Sequence, residues 1–285
     1  MCVVATSAIG VGALAPGSVD AQVPVVHLRV FEFVDRSRAI TVDGKRVPRT
    51  LQTVVRYPST IGSHPLIVFA HGFRRTPATY AALLDTWAAA GYVVAAPVFP
   101  LTSTNAPGGP TEADLVNQPH DMSFVITKLL ALNRSSTSVL DGEIDPARIA
   151  LAGQSDGGVT ALAAAYDSRY RDQRVRAALI LSGARLSGMG SFPRRGPPLL
   201  AVQGTADPFN APATTATYFG LAARPKFLLW LIGASHLPPY TDQPQLGIVE
   251  RATLAFLDHY FKGRSLAAFE RAARRPGLTR LVAEP

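Results

Sequence analysis

Gly153-Gln154-Ser155-Asp156-Gly157-Gly158 is the stretch on which the fold turns. It follows Arg148-Ile149-Ala150-Leu151-Ala152, an apolar run of strand length. It leads into Val159, Leu162, Ala163 and Tyr166, which share one face of a helix. A Gly-x-Ser-x-Gly at a strand-to-helix junction is a nucleophile elbow. The turn is tight enough to hold the serine in a strained conformation, and glycine, without a Cβ, lets the flanking segments pass closely. The strain lifts the Ser155 hydroxyl clear of the sheet and aims the Asp156 N–H at the atom the serine would attack.

Outward from the elbow, strand and helix signals alternate, the pattern of an α/β sheet layered by helices. Val25–Val34 and Leu51–Tyr57 read as an antiparallel entry, with turn chemistry at Asp43-Gly44. Leu66–Ala70 and Tyr92–Val98 read as strands separated by a helix over Pro77–Ala89. Met122, Val125, Ile126, Leu129 and Leu130 mark a further helix. Beyond the elbow come strands at Ala177–Leu181, Leu199–Val202 and Phe227–Leu231, then a helix with Val249, Ala252, Phe256, Leu257 and Tyr260 on its core face. The count is about eight strands.

The chain has 285 residues, 47% of them apolar, enough for one large core. One domain is expected over residues 22–262, followed by an arginine-rich segment, 263–285. The net charge is +8, but the arginines are scattered and no aromatic-rich basic stripe accompanies them, which argues against nucleic acid. The single cysteine, Cys2, permits neither an intrachain disulfide nor a thiolate metal cluster. Residues 1–21, apolar over Val3–Ala15 and ending in Val19-Asp20-Ala21, read as the remnant of a secretory signal, although no Lys or Arg precedes Arg29. Secretion is the expectation; an apolar N-terminus on a cytoplasmic protein is the alternative. No other segment approaches the ~20 apolar residues of a membrane-spanning helix, so stable membrane insertion is not expected, and a monomer is.

A serine hydroxyl needs a base within hydrogen-bond reach, and the base needs an orienting acid. Of six histidines, His236 lies just past the Phe227–Leu231 strand, where open α/β sheets collect functional groups. His27 and His64 are peripheral, His120 precedes a helix it would help cap, and His259 lies beside core residues. Asp207, in Gly204-Thr205-Ala206-Asp207-Pro208, follows the Leu199–Val202 strand and is the candidate acid; Asp242 is the other possibility. The order Ser155, Asp207, His236 is that of α/β-hydrolases.

With Phe69-Ala70-His71-Gly72-Phe73 after a central strand, the chain resembles the α/β-hydrolase superfamily over roughly residues 50–262. It is most similar to the dienelactone-hydrolase-like group, which takes in chlorophyllase-like esterases, platelet-activating-factor-acetylhydrolase-like enzymes and bacterial cutinases or polyester hydrolases. The resemblance implies a Ser-His-Asp carboxylic esterase working through an acyl-enzyme. It also implies an oxyanion hole from the N–H groups of Phe73 and Asp156, with His71 a structural member of the loop. Gln154 stands where many members carry His, and Asp156 where polyester hydrolases usually carry an apolar residue. A carboxylate there disfavours anionic substrates.

The short stretch Ser182–Pro198 leaves no room for a cap domain, so the cleft should admit bulky or polymeric esters, as in cutinase-like polyesterases. Pro100–Pro110 and Gly188–Pro197 are expected to frame it. Phe99, Phe192, Phe209 and Leu237, together with Phe73, are candidates for its apolar wall; each serves equally well as core. No Walker, dinucleotide or His-Glu-x-x-His pattern occurs, so neither cofactor nor metal is expected. A peptidase or amidase of the same fold, or a non-catalytic binding protein on this scaffold, are the alternatives to an esterase.

Overall fold

The computed structural model describes residues 25–285, so the apolar segment read as a secretory signal lies outside the described residues. Nine strands form one sheet: β1 (Val26–Val42), β2 (Lys45–Pro58), β3 (His64–Ala70), β4 (Val93–Pro97), β5 (Ile144–Gln154), β6 (Val175–Leu181), β7 (Leu199–Gly204), β8 (Lys226–Leu231) and β9 (Thr279–Glu284). Their spatial order is β1-β2-β4-β3-β5-β6-β7-β8-β9. β3 to β8 run parallel, while β1, β2 and β9 are antiparallel to their neighbours. The long β1–β2 hairpin turns on Asp43 and Gly44, both at positive φ (49° and 74°), the backbone that a two-residue turn between twisted strands demands.

The helices divide between the faces: α1 (Ala81–Ala89), α5 (Gln245–Lys262) and α6 (Leu266–Ala273) on one, α2 (Gln118–Leu132), α3 (Asp156–Tyr166) and α4 (Pro212–Leu221) on the other. Side chains of a strand alternate between faces, and β3 shows the result. Leu66, Val68 and Ala70 meet α2 and α3, while Ile67 and Phe69 meet α1. Both faces are covered, so the inner strands are continuous apolar runs.

Residues 263–285 are not set apart from this domain. Gly263 ends α5 in the left-handed region (φ 67°), Phe269 and Ala273 of α6 are buried, and β9 pairs with β8 along its length. Thr279-Arg280-Leu281-Val282-Ala283-Glu284 has only three consecutive apolar residues, flanked by Arg280 and Glu284, which is why the sequence suggests eight strands rather than nine. Arg280 lies against the Trp230 ring, so one arginine of the basic cluster serves packing.

One buried charge cluster ties the hairpin to the helical layer. Arg49 on β2, 2% exposed, donates to both carboxylate oxygens of Asp114 (2.8 and 2.7 Å) and of Asp121 (2.7 and 2.6 Å). Asp121 is on α2, and Asp114 is in the 3-10 turn Glu112–Asn117 that leads into it. Burial disfavours the Arg49 cation, but the two carboxylates more than compensate and hold it charged. Arg49→Ala would leave buried Asp114 without a cation and Asp121 with Arg38 (2.8 Å) as its remaining ion-pair partner among the described residues. The expected loss of unfolding free energy is about 3–5 kcal/mol in urea titrations; a loss under about 1 kcal/mol would mean that the cluster contributes little anchoring.

Candidate active site

Because β3 through β8 are parallel, the loops after β3, β5, β7 and β8 emerge at one edge of the sheet. Ser155 follows β5 with φ 56° and ψ −122°, outside the regions that β-carbon-bearing residues favour. Its N–H donates to Leu181 C=O at 2.9 Å, and its own C=O accepts from Val159 N–H, starting α3. A Cβ on Gly153 would lie 2.0 Å from the Gly157 oxygen, and one on Gly157 1.9 Å from the Ala70 oxygen. Both positions therefore require glycine.

His236, past β8, places Nε2 2.8 Å from Ser155 Oγ and Nδ1 2.7 Å from Asp207 Oδ2. Asp207 is fully engaged: Oδ1 accepts from the N–H groups of Phe209 and Asn210 (both 2.9 Å), and Oδ2 also accepts from Gln203 Nε2 (3.0 Å). Burial pushes this carboxyl up, but the His236 bond and the two N–H groups outweigh it and hold it below the usual carboxylate range. An ionised Asp207 accepts a hydrogen bond from Nδ1–H. That leaves Nε2 with a lone pair toward the serine hydroxyl. Asp242 bonds Thr241 and makes no contact with the imidazole.

The loop after β3 is equally constrained. His71 is 1% exposed; its Nδ1–H donates to Gly72 C=O (2.9 Å) and its Nε2 accepts Phe99 N–H (3.0 Å). Burial drops its pKa to about 4, so it is neutral in this tautomer. Phe73 N–H and Asp156 N–H have no protein acceptor among the described residues, and both residues line a cleft of about 590 Å³ that opens over Ser155.

Of the apolar wall read from the sequence, Phe73, Phe209 and Leu237 line this cleft, with Phe209 78% exposed beside His236. Phe99 does not: it is fully buried behind the loop, its ring 5.0 Å from that of His71. Phe192 does not either: it stacks on Tyr166 at the far end of α3, 11 residues or about 16 Å of helix from Ser155. The two framing loops are also displaced from expectation. Residues 100–110 brace the loop after β3, through Arg74 N–H to Thr102 C=O (2.8 Å) and Thr104 Oγ1 to Arg74 C=O (2.6 Å). Residues 188–197 cover the Tyr166 end of α3. Among the other histidines, His120 is exposed against the Tyr170 ring instead of capping α2, and His259 bonds Arg264 C=O past the end of α5.

Several residues of the site carry no motif. Gln203 holds Asp207 and is itself held by Thr215 Oγ1 (2.8 Å). A glutamine inside an apolar strand was the available signal for Gln203. Arg75 and Glu112, brought to the cleft from two distant segments, had none. Asp156 also faces the cleft, half-buried, with Oδ2 shielded from solvent and unbonded to any described residue.

The model of the family described as Chlorophyllase matches residues 28–224. The chain belongs to the chlorophyllase family. Membership places it among carboxylic ester hydrolases of the α/β-hydrolase type. A solved structure of a ferulic acid esterase from Streptomyces cinnamoneus superposes with a TM-score of 0.67. The superposition covers 90% of this chain and 95% of that one at 19% identity, a likeness of fold. No curated protein matches the chain in sequence. Within the chlorophyllase family framework, the matched region spans the loop after β3, the Ser155 turn and Asp207, and stops before His236.

The Asp156 carboxyl has a measurable signature. Burial and then Glu112 push its pKa up to about 6, against some pull downward from His236. A carboxyl raised on folding binds more protons folded than unfolded, so stability falls as pH rises from near 3.8 through about 6. Asp156→Asn removes that penalty, less what the α3 N-terminus returns to a carboxylate. The melting temperature of the variant is expected to exceed the parent's by about 2–6 °C at pH 8. The two should converge near pH 3, and a difference equal at both pH values would contradict the assignment.

Proposed function

We propose that the chain is a serine esterase in which Ser155, His236 and Asp207 act as one unit and the N–H groups of Phe73 and Asp156 hold the oxyanion. The observation that carries this is the unbroken chain Asp207–His236–Ser155, with contacts of 2.7 and 2.8 Å, at the floor of the cleft. Ser155 Oγ attacks the ester carbonyl carbon while His236 Nε2 takes its proton. The carbonyl π electrons move to oxygen, facing the two free N–H donors. Preorganised donors of this kind stabilise charge that exists only in the transition state. As the tetrahedral species collapses, the C–O bond to the alcohol breaks and the leaving oxygen takes the proton from His236. Water then attacks the acyl-enzyme by the same route, and the acid departs with Ser155 restored. Asp207 stays ionised throughout and stabilises the imidazolium.

The substrates this cleft favours are neutral esters with bulky groups. The segment between β6 and β7, residues 182–198, contains no helix and forms no cap. Phe73, Phe209 and Leu237 offer apolar surface at the mouth, while Asp156 and Glu112 repel carboxylates. Esters of aromatic acids fit this wall, and an aromatic-acid esterase shares the fold. The open mouth also supports polymer chains as substrates. Export is part of the same reading, on the strength of the apolar residues 3–15. Among the described residues, no helix is long and apolar enough to cross a membrane.

Ser155→Ala is expected to lower kcat on a p-nitrophenyl ester by about 10⁴-fold or more with an unchanged circular dichroism spectrum. Undiminished turnover would overturn the mechanism. In a panel of matched esters, including a feruloyl ester, a polyester film and an anilide, neutral esters are expected to exceed both the amide and carboxylate-bearing analogues in kcat/KM. An amide preferred over its ester would point to a peptidase instead.

A further inference from the structure

Gln154, immediately before the nucleophile, has no part in the reaction as written, yet it is 1% exposed and bonded at both ends of its carboxamide. Gly72 N–H donates to Tyr80 Oη (3.2 Å), Tyr80 O–H donates to Gln154 Oε1 (2.8 Å), and Gln154 Nε2 donates to His236 C=O (3.1 Å). The polarity of this chain has one solution. A backbone N–H can only donate, so the Tyr80 oxygen accepts from it, and the single hydroxyl proton goes to the carboxamide oxygen. The carboxamide then has only N–H left to present to the His236 carbonyl. We propose that Tyr80 and Gln154 are positioning residues. They form one head-to-tail bridge that holds the oxyanion loop and the histidine loop at a common setting about Ser155.

Three further observations bear on it. The first is what the bridge leaves free. Gly72 N–H is committed to Tyr80, so it is not available to an oxyanion. Gly72 C=O is committed as well, accepting from His71 Nδ1 (2.9 Å) and from Arg75 N–H (3.2 Å). In a planar trans peptide the N–H points opposite the C=O. Pinning the Gly72 carbonyl on the inner side therefore turns the N–H of Phe73 outward to the cleft. The loop is thus tied at both peptides of Gly72, and Tyr80 supplies one of the ties.

The second is steric. A Cβ on Gly72 would lie 2.9 Å from Gln154 Oε1 and 3.1 Å from Tyr80 Oη, so the backbone at Gly72 is fitted to these two side chains. The third is electrostatic. The bridge is built from neutral groups: burial holds the Tyr80 hydroxyl protonated far above the ordinary phenol range, and a carboxamide does not titrate. It adds no charge to a cleft that already holds Asp156, Glu112 and Arg75. Tyr80 itself is fixed by packing on Phe69, 4.9 Å between ring centroids.

The bridge presupposes the serine-esterase reading, and the test separates the two. Tyr80→Phe removes one oxygen; Gln154→Met keeps volume and removes both polar ends; Gln154→Glu keeps the acceptor and loses the donor. Gln154→His restores one acceptor and one donor in a neutral ring. On a neutral p-nitrophenyl ester, Tyr80→Phe and Gln154→Met are expected to lower kcat about 10–100-fold, less than deleting an oxyanion donor outright. KM should stay within about twofold. Affinity for an arylboronic acid, whose tetrahedral adduct with Ser155 presents an oxygen to the hole, should fall in parallel with kcat. Gln154→His should recover most of the loss, and Gln154→Glu little. Unchanged kcat, a loss of thermal stability without a matching loss of boronate affinity, or a His variant as poor as the Met variant would each overturn the bridge. If Gln154→Met does not fold, Tyr80→Phe decides by the same measures. A wild type inactive on every ester would overturn both readings, whereas an active wild type equalled by all four variants overturns only the bridge.

Discussion

The structure depends on a steric condition at one turn. Ser155 can stand at φ 56°, ψ −122° only because Gly153 and Gly157 bring β5, α3 and the end of β3 to distances that no side chain would permit. Gly158 extends the condition, since a Cβ there would lie 2.8 Å from the Gly183 Cα after β6. The conformation costs of order 1–3 kcal/mol, sustained because the surrounding packing admits no alternative. Three strands and a helix converge on these atoms. The backbone sets the direction of the Ser155 Cβ, and the bond to His236 Nε2 (2.8 Å) selects the hydroxyl rotamer.

Around that turn, each polar group is assigned one direction. Asp207 accepts four bonds, so the imidazole has a single productive tautomer; His71 is neutral and carries its proton at Nδ1; the peptides around Gly72 are tied on both sides. Buried polar networks stabilise a unique arrangement only when every member is satisfied. Asp156 is the exception: a carboxyl oxygen buried beside Ser155 with no partner among the described residues. Its cost to stability marks the place where the cleft departs from folding requirements.

Sequence reasoning reached as far as backbone physics is local. The Asp43-Gly44 turn, the alternating apolar runs and the 3,4 spacing of α2 all follow from short-range rules, and all are present. Ser155, Asp207 and His236 are readable because each lies in a turn or loop that follows a strand of a parallel sheet, a condition of topology rather than of distance. The aromatic wall is not. Phe99 and Phe209 each sit in loops beside a proline, yet one is buried and the other 78% exposed. Nothing local distinguishes them; His71 claims the first, and the Asp207 loop turns the second outward. Glu112 and Arg75 likewise reach the cleft through contacts set by the Arg49 cluster and the Thr102 brace, far away in the chain. β9 escaped notice because an edge strand with one partner does not need a long apolar run.

With no helix between β6 and β7, that segment places no cap over the cleft among the described residues. Enzymes that close a lid over their substrate gain dryness and commit to a slow opening step before product leaves. A site without one must exclude water by the fit of the substrate itself, so the ester's own apolar groups become part of the wall while it is bound. The exposed Phe209 ring, at the mouth of the cleft, is the part of that wall the protein itself supplies.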